Sequence, residues 1–222
     1  MASPTFGELQ TEVLSRDYGS TSDLTLIKAW INSANRELHA SHRWTWNETA
    51  DNIATTAGQE FITMPTTLPI LWIGRVRPND ASTPQVEFLD AARIRSDSPM
   101  ATFNPTATGR GAPRYMWRLD NLLYVDPTPD AVYSYKLYFW HGATLMSSDA
   151  HLPECPEDDR EILVFGALRR AAERDRDLNT ANYYQSLWDK KLDDMRAKDN
   201  TLFQGVRKVQ MPKSYYGRYD RG

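Results

Sequence analysis

Cysteine is almost missing from this chain. Cys155 stands alone among 222 residues, which excludes an intrachain disulfide framework and a cysteine-built zinc site. An excess of charge of one sign is missing too. Lys and Arg number 26 against 29 Asp and Glu, for a net charge of −3, so bulk charge points to neither nucleic acid nor a membrane surface. No apolar run approaches the roughly 20 residues of a membrane span. Met1-Ala2-Ser3-Pro4-Thr5-Phe6 lacks the basic segment and apolar run of a signal peptide. The expectation is a soluble protein made in a reducing cytoplasm, without a membrane partner.

Catalytic signatures are also missing. GxSxG, GxGxxG and HExxH do not occur. Gly109-Arg110-Gly111 lacks both the preceding strand and the Lys-Ser/Thr of a phosphate loop. His39 and His42 share a helix face, but two ligands need a third from elsewhere. They read as helix-end residues favoured by the C-terminal dipole. Cys155 lies between Glu154 and Pro156; the acidic setting disfavours a thiolate, although a helix N-terminus pulls the other way. The expectation is no catalysis, no metal and no cofactor.

What the chain does have is an ordinary folded composition, 41% hydrophobic and 25% charged. Seven Trp and eleven Tyr are high for the length. They suit either large contact surfaces or an aromatic core in the β-prone region.

Helical patterns occupy both ends. Residues 5–18 read as a short amphipathic helix: Thr5 and Glu8 have capping-box spacing, Phe6, Leu9 and Val13 form one face, and Gly19 ends it. Residues 23–42 read as a longer helix. Leu24, Ile27, Trp30, Ile31, Ala34 and Leu38 keep its apolar period, with Asn32, Asn35, Arg36 and Glu37 on the polar side. From Trp44 to about Leu145 that period disappears. β-prone runs at 45–49, 60–64, 71–76, 86–88, 115–119, 122–125 and 133–140 are separated by Gly, Pro, Asn and Asp. Asp120-Asn121 is a hairpin signal. Residues 87–95 read as a short helix on the sheet, and residues 96–113 as a long exposed loop. The aromatic β segment suits an oligonucleotide-binding barrel in principle, but its basic residues are scattered along the sequence and form no stripe.

The helical pattern returns at Pro153. Residues 156–199 read as two helices with a break at Leu178-Asn179-Thr180. Pro156 suits a first turn, and Glu157-Asp158-Asp159 suits the positive end of a helix dipole. Ile162 to Leu168 is apolar almost all round and should be buried. Arg169, Arg170, Arg174, Asp175, Arg176 and Asp177 should be solvated or face a neighbouring chain. Thr180 is the expected N-cap of the second helix, whose stripe is Ala181, Tyr184, Leu187, Trp188, Leu192 and Met195. Residues 200–222 hold no period and combine basic with aromatic side chains, the composition of a terminus that orders on a partner. The expected fold class is α+β. A helical bundle (residues 1–44 and 146–199) carries an inserted antiparallel β domain (residues 45–145), barrel or sandwich, and an extended C-terminal arm (residues 200–222).

Two groups of residues carry a resemblance. One is Ile27, Trp30-Ile31-Asn32, Ala34 and Asn35 followed by Trp44-Thr45-Trp46. The other is Pro156-Glu157, Ile162-Leu163, Gly166-Ala167-Leu168, Asp175, Ala181, Tyr184, Leu187-Trp188 and Leu192. In spacing and order of parts, residues 20–222 resemble the head-to-tail adaptors of tailed bacteriophages (connector, head completion or tail tubular proteins), especially of the short-tailed kind. The resemblance implies a structural virion protein, made in the host cytoplasm, that docks as a twelve-fold ring under the portal protein. Such a ring joins the capsid vertex to the tail (nozzle) protein and lines the DNA exit channel without sequence-specific binding. On this chain it implies that residues 200–222 bind the portal. Tyr215, Tyr216 and Tyr219 would be the anchors, Arg207, Lys208, Lys213 and Arg218 would pair with acidic groups, and Phe203 belongs to the same portal-binding arm. Arg169, Arg170, Arg174, Asp175 and Arg176 become ring contacts, and Arg110 and Arg114 mark a tail-facing loop. The alternatives are another ring-forming tail component, a stopper or terminator, and a nucleic-acid-binding module, whose DNA affinity would fall steeply with salt.

Overall fold

Thr5 and Glu8 close the expected capping box. The Thr5 amide donates to Glu8 Oε2 at 2.6 Å, and the Glu8 amide donates to Thr5 Oγ1 at 3.3 Å. Two otherwise orphaned donors are satisfied, and α1 (Phe6–Ser15) begins there. The structure, a computed structural model, describes residues 4–16, 24–64, 69–89 and 109–207. It divides into a helical unit, Met1–Trp46 with Leu145–Gly222, and a β unit, Asn47–Thr144.

In the helical unit α1 buries Phe6, Leu9 and Val13. α2 (Leu24–Ser41) buries Ile27, Ile31, Ala34 and Leu38, while Leu24 is 41% exposed and falls outside the stripe. The expected polar side of α2 is corrected at two positions, because Asn32 and Asn35 are buried. Asn32 Nδ2 donates to the Lys28 and Met146 carbonyls at 2.9 and 3.0 Å, and its Oδ1 accepts from the Met146 amide at 2.9 Å. One side chain thus stands in for a backbone neighbour of the returning chain.

A 3-10 turn (Glu157–Asp159) precedes α3 (Glu161–Arg174). Ile162 to Leu168 is buried throughout, as its all-round apolar character requires. Arg160, 8% exposed, donates to the Pro4 and Pro153 carbonyls at 3.1 Å and to the Cys155 carbonyl at 3.4 Å. It ties the N-terminal end to the segment entering α3. Asp159 is also buried, with Lys191 and Lys198 Nζ each 3.0 Å away. Its acidic position thus has a counter-charge from α4 (Leu178–Arg207).

The break between α3 and α4 lies at Asp175-Arg176-Asp177, upstream of its expected place. Asp177, not Thr180, supplies the cap: its carboxylate accepts from the Thr180 amide at 3.1 Å and from the Thr180 hydroxyl at 2.6 Å. Arg176 takes φ 60°, and the Asp177 amide returns to the Ala172 carbonyl at 3.0 Å. These are the marks of a left-handed helix terminus. α4 buries Ala181, Trp188, Leu192 and Met195, with Tyr184 and Leu187 half-buried. It also runs past Asp199, so residues 200–207 of the expected extended arm are helical; residues 208–222 lie outside the described residues. At 30 residues α4 spans about 45 Å.

The β unit holds β1 (Glu48–Ala54), β2 (Phe61–Thr63), β3 (Ile70–Pro78), β4 (Glu87–Leu89), β5 (Tyr115–Leu119), β6 (Leu122–Asp126) and β7 (Ser134–His141). They form two sheets, β1-β7-β3 and β2-β6-β5-β4, and no closed barrel among the described residues. Ile53, Val76, Tyr135, Leu137 and Phe139 of the first sheet share a core with Ile62, Met116, Leu123 and Val125 of the second. Asp120 (φ 53°) and Asn121 make the expected tight hairpin between β5 and β6.

Three expectations for this unit are corrected. Thr45–Asn47 is a 3-10 turn, and the first strand starts at Glu48. Residues 87–89 form a strand rather than the start of a helix. That strand pairs parallel to β5, so the sheets are not purely antiparallel. The long connection through residues 90–114 is what a parallel pair needs.

Candidate functional site

The charged residues singled out on α3 divide into two groups. Arg169 and Arg170 follow the buried turn so closely that their side chains are only 11% and 17% exposed. Both reach Glu37 of α2, with Arg169 Nη2 at 2.7 Å and Arg170 Nη2 at 2.5 Å from Glu37 Oε2. Arg169 also donates to Gln185 Oε1 and lies 5.7 Å from the Trp188 ring. The pair, expected to be solvated or to face a neighbouring chain, is therefore an internal clamp across three helices. Glu37 and Gln185 lie 132 and 16 residues from Arg169, and no local sequence signal links them to it.

Burial pushes the Glu37 carboxyl up, but hydrogen bonds and charges from Arg169 and Arg170 outweigh it and hold the group below its ordinary value. A depressed folded-state value contributes stability above the unfolded value, about 4.5, that is lost as pH falls through the folded value. Glu37 is 39% exposed, so screening limits the effect to about 1 kcal/mol. Glu37→Gln should lower the unfolding midpoint at pH 7 and weaken its acid dependence between about pH 5 and 3. Parallel pH profiles for both proteins would refute that role.

Arg174, Asp175 and Arg176 form the exposed α3–α4 corner. Arg174 lies 5.9 Å from the Trp30 ring. Exposed Leu178 and Tyr183 follow on α4. The corner thus offers charge and apolar surface side by side, which the inward pair does not.

In the β unit Arg110 and Arg114 are both exposed. The Arg110 guanidinium covers Gly58, where an added Cβ would lie 3.4 Å from its carbon. The Arg114 backbone accepts from the Glu87 amide and donates to the Asp126 carbonyl, each at 2.8 Å. The rest of the expected tail-facing loop, residues 96–108, lies outside the described residues. Phe203 and Arg207 fall on the last turns of α4. Lys208, Lys213, Tyr215, Tyr216, Arg218 and Tyr219 lie outside the described residues.

Sequence reasoning missed one cluster. Arg75, Arg77 and Lys136 gather about Tyr138 on one face of the β1-β7-β3 sheet. The Arg75-Val76-Arg77 alternation was its one local signal, because residues two apart on a strand share a face.

The reactive-looking groups have structural surroundings. His39 lies in the last turn of α2, the helix-end place expected for it, and is fully buried there. Its Nε2 lies 3.4 Å from Glu154, and its ring meets Trp46 edge-on at 5.0 Å. His42 Nε2 lies 3.3 Å from Asp199, which also accepts from the Thr45 amide at 3.0 Å. Burial pushes the Cys155 thiol up to about 12 against the pull of Arg160, so a thiolate is disfavoured. No described helix is long and apolar enough to cross a membrane.

A comparison with curated proteins finds no match. Residues 4–210 match the family model described as SU10 adaptor protein. This agrees with the resemblance to phage head-to-tail adaptors, and the chain belongs to the SU10 adaptor protein family.

Proposed function

We propose that this protein is a bacteriophage head-to-tail adaptor that acts as a structural component and not as an enzyme. Subunits made in the host cytoplasm dock as a ring, twelve-fold by the resemblance, beneath the portal. The ring joins the capsid vertex to the tail protein, and DNA leaves through its channel. The observation that carries this reading is the family match over residues 4–210. The helical unit supports it, since α4 is anchored near its end by Asp199 and leads into the basic, aromatic residues 208–222. Ordering such a segment only on the portal would hold back early ring assembly, because its entropy cost is offset only there. The exposed Arg174, Asp175 and Arg176 corner is the proposed neighbour contact, with Arg169 and Arg170 supporting it from inside. A closed ring needs a different surface on each side of the subunit, and a mixed-charge corner suits one of them. Arg110 and Arg114 are the proposed tail-side contacts.

Removal of residues 208–222 tests the docking step. The truncated chain should keep the unfolding midpoint of the intact protein, because the cut leaves Leu178–Arg207 whole. It should fail to sediment with the cognate portal. Attachment at the affinity of the intact chain would rule out these residues as the portal-binding segment.

A further inference from the structure

The register of the β1-β7-β3 sheet brings together cations from distant parts of the sequence. Arg77 pairs with Lys136, and Arg75 pairs with Tyr138. Val76 is buried, so Arg75 and Arg77 occupy the opposite face. Lys136 and Tyr138 likewise alternate with buried Leu137 and Phe139. The Arg75 guanidinium lies 4.4 Å from the Tyr138 ring centroid, that of Arg77 5.9 Å, and the Lys136 ammonium 6.0 Å.

Three positive charges about one ring repel one another, yet the chain as a whole carries a net charge of −3. The acid recorded against them is Glu48, whose Oε1 lies 3.9 Å from Arg75 Nη2. The remaining cross-strand partners on β1 are neutral, Asn52 beside Lys136 and Ala50 beside Tyr138. Arg75 and Arg77 are exposed, and so is Lys136. Tyr138 offers the cations a π face that holds a guanidinium flat, with its donors spread in one plane.

The chemistry of the face separates two kinds of anionic partner. A protein partner needs apolar anchors that become buried. Among the described residues the exposed large apolar side chains of this unit are Tyr115, Leu119 and Val132, and none belongs to the strands of this sheet, where Trp72 and Tyr138 are half-buried and Trp140 is buried. With its aromatic side chains already half-buried or buried and its exposed charged side chains all cations, this face suits a polyanion read through its charge. We propose that this face is a sequence-independent contact surface for the phosphate backbone of duplex DNA. Arg75, Arg77 and Lys136 are its phosphate-binding groups, and Tyr138 is their platform. It rests on the adaptor reading for the source of the DNA, and it deepens that reading by naming the surface the DNA would touch.

The test uses the full chain, free in solution, with two fluorescein-labelled duplexes of unrelated sequence, about 30 base pairs each. Anisotropy is followed from about 25 to 200 mM NaCl. The two duplexes should bind equally, with a log–log salt slope of about −2.7 for three neutralised phosphates. The triple variant R75Q/R77Q/K136Q should lose about tenfold in affinity at low salt and flatten the slope. Circular dichroism should show its fold intact, since these side chains are exposed. Tyr138→Leu, which removes the platform and no charge, should cost about threefold.

Equal affinities for the intact and triple-variant chains overturn the proposal. So does the absence of binding at about 25 mM NaCl with about 200 µM protein. If the triple variant binds DNA normally but no longer assembles on the portal, the face meets an acidic surface of a neighbouring copy instead. Portal co-sedimentation of the intact chain, run in parallel, separates the two readings. DNA binding without portal attachment sinks the adaptor reading alone, and attachment without DNA binding sinks this one.

Discussion

Gly166→Leu is expected to leave no folded helical unit. Gly166 sits mid-way along α3, where glycine ordinarily weakens a helix by about 1 kcal/mol relative to alanine. It stands there because two neighbours press against its backbone. A Cβ built on it would lie 2.6 Å from the Trp188 ring of α4 and 2.7 Å from Ala34 Cβ of α2. Neither atom can retreat cheaply. Trp188 is 2% exposed, and Ala34 has no rotamer to change. Alanine alone would gain about 1 kcal/mol of helix propensity against an overpacking cost of about 1–3 kcal/mol. Gly166→Ala should therefore lower stability by up to about 2 kcal/mol. Leucine adds three further carbons with no space to enter, and separation of the helices is the remaining outcome. Thermal unfolding by circular dichroism checks both variants. A Gly166→Ala protein more stable than the parent would show that the three helices are not in close contact there. Gly166→Ala combined with Trp188→Phe should recover part of the loss if the ring is the obstacle.

The second large effect is expected at Asn32. Replacing it with leucine removes one acceptor and two donor contacts in a place water does not reach, since Asn32 is 7% exposed. The Met146 amide and carbonyl then lose their partner on α2 at the point where the chain re-enters the helical unit. An unsatisfied buried polar group costs about 1–3 kcal/mol. Two such groups come to about 2–6 kcal/mol, less whatever the leucine regains by burial. Asn32→Asp should be no milder, because a carboxylate cannot donate to the Met146 and Lys28 carbonyls. Hydrogen exchange at the Met146 amide reads the effect locally. Protection there should fall in the leucine variant before the centre of α3 is affected, because leucine has no acceptor for that amide. Unchanged protection would show that Asn32 does not hold this segment.

The same residue marks the limit of pattern reading. In α2 the apolar residues Ile27, Ile31, Ala34 and Leu38 were legible from spacing, because burying one helix face leaves a period of 3.6 residues. Asn32 falls off that period, so the pattern places it in water. It is buried because a chain segment more than a hundred residues later covers it and presents an amide and a carbonyl at the right distance. Arg169 and Arg170 repeat the lesson. Arginine after an apolar turn reads as surface until Glu37, on a different helix, supplies the counter-charge.

By itself the sequence determined whatever depends on neighbours a few residues away. The capping box at Thr5 and Glu8 and the Asp120-Asn121 hairpin are satisfied by local backbone geometry, and the run Ile162–Leu168 marks itself for burial by its all-round apolar composition. The approximate places of the strands follow in the same way, since alternation is a local property. The tertiary structure alone decided the parallel β4–β5 pairing, the inward turn of Arg169 and Arg170, and the gathering of Arg75, Arg77 and Lys136 about one ring. Each depends on the register or approach of elements far apart in the chain. A side chain's charge is written in the sequence, but the charge it meets is set only when distant segments pack.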